Sequence, residues 1–150
     1  MEFRYELTGH GWADCRVEIG GQHAEVVASY LTDALDDLCA AVAAVLRGDP
    51  AAGASWDGEP VEFRWRLDRA GTDRLRVRVL QLADGMARRP DDEAQVLLDA
   101  ECRLRTFAGA VLSELQRIDR EHGEAGYRRL WLQHAFPRRR LEQLQSLLAA

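Results

Sequence analysis

Lysine and asparagine are absent from the 150 residues, and all twenty basic side chains are arginine. Both missing residues are specified by A-rich codons. A GC-rich genome therefore explains the bias, and the abundance of arginine is not by itself a sign of selection for anions. Cysteine is scarce: Cys15, Cys39 and Cys102 are odd in number, far apart and set among apolar residues. That argues against a disulfide framework and for buried thiols in a reducing compartment. No run approaches the ~20 apolar residues of a membrane span. The opening residues, MEFRYELTG, have neither a basic nor an apolar leader region, so the expected location is the cytoplasm, without membrane contact.

Catalytic signatures are also missing. The four histidines, His10, His23, His122 and His134, fall in no H-E-x-x-H arrangement, and no C-x-x-C occurs. No metal and no other cofactor is expected. No G-x-S-x-G, P-loop or G-x-G-x-x-G run is present, which leaves serine-nucleophile chemistry and glycine-loop phosphate binding unsupported. The net charge is −5, whereas a dedicated nucleic-acid binder carries a basic surplus, so no nucleic acid is expected.

What is present reads as one α+β domain over residues 1–150. With 47% hydrophobic and 30% charged residues, the chain is long enough to bury one core. Segments 3–7 and 12–19 alternate strictly, with Phe3, Tyr5, Leu7, Ala13, Cys15, Val17 and Ile19 on one side. "GHG" and "GGQ" punctuate them, and "AEVVAS" follows as a third strand. Leu31, Leu35, Leu38, Val42 and Val45 then mark one face of a helix over 30–47. Asp33, Asp36 and Asp37 lie near its start, with Gly48 and Pro50 after its end. "GDPAAGAS" reads as a surface loop.

Two more alternating arms, 61–67 and 75–79, form a hairpin around "RAGTD", and "ADGMARRPDDE" reads as a second loop. Residues 95–101 alternate as a strand would, but Leu97 also begins a helical stripe with Leu104, Phe107 and Val111, so the sequence leaves strand or helix open there; the reading taken is a short strand giving way to a helix at about 103–121, with Gly123 as its stop. A short helix in "EAGYRRLW" and another opened by Pro137 close the chain. The expected architecture is two-layered: a mostly antiparallel sheet with helices packed on one face.

The hairpin carries Glu62, Arg64, Arg66 and Asp68 on its outer side, then Arg74, Arg76 and Arg78. If Asp68 opposes Arg74, Arg66 and Arg64 face Arg76 and Arg78. If Glu62 opposes Arg78, Arg64 faces Arg76. Either register sets like charges together and demands counter-charges. Glu2, Glu6, Asp14 and Glu18 on the first two strands are the expected source, giving a solvated ion-pair ladder. The other reading is an anionic partner, above all an acidic protein surface. RNA is disfavoured, because Phe63 and Trp65 point inward and leave no stacking platform.

Trp12 and Trp56 lie beside glycines at strand edges, where partial exposure would border the arginines with interface-type aromatics. A pocket near His10, Asp57 and Glu59 is the alternative, with a loop histidine and two carboxylates as parts for acid–base chemistry. Cys102, between Glu101 and Arg103, reads as buried rather than activated.

The segments "SWDGEPVEFRWRL", "LDAECRLRTFAGAVLSEL" and "HGEAGYRRLW" resemble small acidic proteins of actinobacteria and other high-GC bacteria, a family without an established activity. The resemblance spans about half the chain. It implies bacterial origin and an α+β layout, and it carries over no catalytic residue. In size and acidity the chain is also similar to bacterial immunity or antitoxin proteins. The expectation is a non-enzymatic module that binds a protein partner through Arg64, Arg66, Arg76, Arg78, Trp12 and Trp56, or that associates with itself through an edge strand or the C-terminal helix 138–148.

Overall fold

A computed structural model describes residues 1–150. The chain runs β1 (Glu2–Gly9), β2 (Trp12–Ile19), β3 (Gln22–Ser29), α1 (Ala34–Leu46), β4 (Ala51–Asp57), β5 (Glu62–Gly71), β6 (Arg74–Leu82), β7 (Gln95–Cys102), α2 (Leu104–Trp131) and α3 (Arg138–Ala149). Every strand pair is antiparallel. The strands divide into two sheets, of order β1-β2-β3 and β4-β5-β6-β7. The α+β expectation holds.

Alternation decides which side of each strand is dry. Phe3, Tyr5, Cys15, Val17, Ile19 and Val26 are buried on the first sheet, and Phe63, Trp65, Leu67, Leu75, Val77 and Val79 on the second. The two inner faces meet through aromatic rings. Phe3 stands edge-on to Trp65 with centroids 6.1 Å apart, and Tyr5 to Trp56 at 5.7 Å, a favoured geometry for ring quadrupoles. Helix α2 lies along β1, α1 lies along β4 and β5, and α3 packs on both helices. One continuous apolar core joins both sheets and all three helices. The β5–β6 turn is tied to α2 by Asp73. Its Oδ1 accepts from the Arg105 N–H at 3.0 Å and its Oδ2 from Arg103 Nε at 2.9 Å, so a carboxylate sits where the helix dipole favours it.

Three features differ from the sequence reading. "GDPAAGAS" is not all loop: Ala51–Asp57 is a strand, because Ala52, Ala54 and Trp56 alternate inward and pair with β5. Helix α1 begins at Ala34, since β3 runs on to Ser29, and Leu31 is left 53% exposed in the connection. The hairpin register is neither of the two considered, for Asp68 opposes Arg76 and Arg66 opposes Arg78. An extra residue between Arg69 and Gly71 shifts the pairing. As read from the sequence, Gly123 stops the first helical run, with φ 64° and ψ −175°, and a second run follows across this kink, so that Tyr127 and Trp131 turn into the core. No helix is long and apolar enough to cross a membrane.

Candidate interaction surface

Strand parity places Arg64, Arg66, Arg76 and Arg78 together on the outer face of β5 and β6. Their side chains are 12%, 37%, 46% and 26% exposed. None is free. Arg64 bonds Glu62 at 2.6 Å and Asp91 at 2.8 Å, and Arg66 bonds Asp91 at 2.8 and 3.1 Å. Arg76 grips Asp99 with two bonds of 2.8 and 2.7 Å, Arg78 meets Asp68 at 3.0 Å, and Arg74 lies 3.4 Å from Glu101. Five guanidiniums thus meet five carboxylates.

The counter-charges do not come from Glu2, Glu6, Asp14 and Glu18, because those residues belong to the other sheet. They come from β7, from the strands themselves, and from the 83–94 connection, which folds across the face. That connection follows β6 directly, and Asp91 in it is clamped by both Arg66 and Arg64, which hold its carboxyl at about 2. Burial would raise Glu62, but hydrogen bonds from Arg64 and Ser55 outweigh it and keep this acid below the ordinary range.

Trp56 is not on the surface. It is fully buried, and its indole N–H donates to the Ala34 carbonyl at 2.8 Å. Trp12 is half-buried on the first sheet, opposite Ser29. His10 is exposed in the β1–β2 turn, with φ 55°. Asp57 ends β4, where its Oδ1 accepts from the Glu59 N–H at 2.8 Å. No bond joins His10 to either acid. The shallow cavity of about 290 Å³ that Asp57 lines with Thr32, Ser55, Glu62, Arg64 and Met86 includes neither His10 nor Glu59. No three metal-ligating side chains converge. Cys15 and Cys39 are buried, with thiols pushed up by desolvation, and Cys102 is half-buried and raised for the same reason.

The edges of the two sheets are treated unequally. On β1, the backbone of Tyr5 is satisfied from α2. Its N–H donates to Glu114 Oε2 at 2.6 Å and its carbonyl accepts from Arg117 Nη2 at 2.9 Å. On β7, the side chain of Gln22 bonds the backbone of Asp99. The β3 edge carries His23 and Glu25. The outer edge of β4 has no such cover.

The hydrogen-bonded pairs of β4 and β5 are bounded by Arg69 N–H to Pro50 O and Gly58 N–H to Val61 O. Parity then commits Ala52, Ala54 and Trp56 to β5 and turns the peptide groups of Ala51, Gly53 and Ser55 outward. At the far end the Asp57 N–H, of the same parity, reaches Thr32 Oγ1 at 3.4 Å. Ala51, Gly53 and Ser55 are all exposed and uncharged, and the strand has no register shift. Proteins ordinarily guard such edges with charge, proline or a bulge.

Beside this edge lies an open groove of about 450 Å³, walled by Asp37, Ala40, Ala41 and Ala44 of α1 and by Ala52–Ser55. Gly53 is required within it: a Cβ there would come 2.7 Å from the Trp65 carbonyl and 2.6 Å from Arg66 Nη1. The sequence reading missed this surface because small residues carry little hydrophobic signal. The Ala52, Ala54, Trp56 alternation was the available clue. No family model, curated protein or solved structure matches this chain.

Proposed function

We propose that this chain is a non-enzymatic, cytoplasmic protein-interaction module of immunity or adaptor type, and that it takes up an extended protein segment along β4. The observation that carries this reading is the uncapped β4 edge beside the α1 groove. Unpaired peptide groups supply main-chain affinity for an added strand, and the adjoining groove supplies side-chain selection. The arginine face is the weaker candidate, because its cations are already neutralised by their own carboxylates. A partner binding there must displace those acids before gaining any ion pair of its own.

The test is a photo-crosslinking residue placed at Ser55, and separately at Arg76, in cells of the source organism. Capture of a protein chain from Ser55 and not from Arg76 supports the reading. Capture from Arg76 alone moves the interface to the hairpin, and capture from neither overturns the interaction role.

A further inference from the structure

We infer that the segment seated on β4 is the same strand of a second copy, paired antiparallel about a two-fold axis. This rests on the interaction reading above and specifies its occupant. Three observations fit a self-complementary contact. Centred on Gly53, antiparallel pairing sets Ala51 of each copy opposite Ser55 of the other, so small uncharged residues meet from 51 to 55, and the like-charged Asp57 and Asp49 face each other only at the two ends, which limits the paired stretch to that centre. Each copy offers the same outward peptide groups, as an isologous interface requires.

The groove wall obeys the same symmetry. Helix α1 runs along β4, and its groove residues, Asp37, Ala40, Ala41 and Ala44, are centred on Ala40 and Ala41. The rotation brings the two α1 helices together antiparallel over the joined sheets, and alanine side chains allow a close approach. Asp37 then lies beside Ala44 of the second copy, with Arg47 of that copy one turn further on. Neither Asp37 nor Arg47 has an ion-pair partner within its own chain. The fold's ion pairs all lie elsewhere. The symmetry supplies two such pairs at once. Arg66, which crosses behind Gly53, is already held by Asp91, so the joined outer faces bring no bare cations together.

The experiment is light scattering and sedimentation of the purified full chain over a wide concentration range. The expected result is twice the chain mass, with Ser55→Lys and Ala51→Lys each weakening association about tenfold or more. Ala51→Lys keeps the Ser55 hydroxyl bond to Glu62, and circular dichroism checks that each variant is folded. Asp37→Arg and Arg47→Asp should each weaken association, and the double variant should recover it. A monomer at every concentration, or a dimer indifferent to all four single changes, overturns the second copy as occupant. If the monomer is accompanied by capture of a different chain from Ser55 in cells, the interaction role itself survives.

Discussion

The side chain of Gln22 meets the backbone of Asp99 as a neighbouring strand would. Its Nε2 donates to the Asp99 carbonyl at 2.8 Å, and its Oε1 accepts from the Asp99 N–H at 3.2 Å. One amide therefore joins the two sheets at the edge of β7 and closes that edge to pairing. Gln22→Ala should speed exchange of the Asp99 amide about tenfold and cost ~1 kcal/mol of stability. Unchanged exchange at Asp99 would show that the edge is protected by something else.

A second closure is made by charge. Glu114 is 5% exposed and accepts from both the Tyr5 N–H and Arg117, while Arg117 returns a bond to the Tyr5 carbonyl. Removing one member leaves the other with weaker company, Arg117 with the exposed Glu121 and Glu114 with Arg4 at 3.8 Å, so Glu114→Ala and Arg117→Ala should each destabilise by about 2 kcal/mol in urea unfolding. The double variant should cost less than the two singles together. Simple additivity would mean that the pair does not act as a unit.

Asp91 gives an acid limb to the stability profile. Its carboxyl is held at about 2, by Arg66 first and then Arg64, below the ~3.9 of an unfolded aspartate. The contribution is present above the unfolded value and is lost as pH falls through the folded one. Asp91→Asn should remove that part of the acid loss and loosen the 83–94 connection. Protease cleavage confined to that connection is the readout, and an uncut variant with an unaltered acid limb counts against the clamp.

Asp33 has the opposite sign. It precedes α1, one of its oxygens is buried without a partner, and burial pushes its carboxyl up to about 6. His134, on the α2–α3 connection, opposes that shift, as does Arg140 from α3, while Asp36 and Asp37 reinforce it. Tyr127 and Tyr5 approach from α2 and β1. His134 Nε2 lies 3.0 Å from the Tyr30 carbonyl, which can only accept, so this nitrogen carries a proton. The other ring nitrogen faces Asp33 Oδ2 at 3.7 Å. The contribution of Asp33 is therefore full below about pH 4 and lost as pH rises through about 6. In denaturant titrations, Asp33→Asn should gain on the parent protein across that window. A difference that does not vary with pH would remove Asp33 as the titrating group.

The legible parts of the sequence were those where bulky side chains keep a period. Phe63, Trp65, Leu75 and Val77 fixed which side of the hairpin is dry, and the buried positions agree. The arginine ladder was foreseen in kind but not in its partners. Asp91, Asp99 and Glu101 lie far along the chain from Arg64 and Arg66, and alternation within one hairpin says nothing about which strand comes next to it. Trp56 was misplaced because its neighbours are alanine, glycine and serine, which pattern too weakly to announce a strand. The same weakness hid the groove, whose residues are notable only when α1 and β4 are side by side.

Arg138 shows what the kink at Gly123 entails. Its guanidinium bonds Asp119 at 2.7 and 2.6 Å before the kink and Glu124 at 3.0 Å after it, and it lies 4.9 Å from the centre of the Phe136 ring. One side chain from the final helix thus splints both halves of the preceding one. The segment that seats Tyr127 and Trp131 is thus held from two sides, by α3 and by the β1–β2 turn, whose Gly11 N–H donates to the Leu130 carbonyl at 2.9 Å. Because α3 follows α2 in the chain, this splint is the last of those contacts to be synthesised, and it closes over a kink whose two halves already exist.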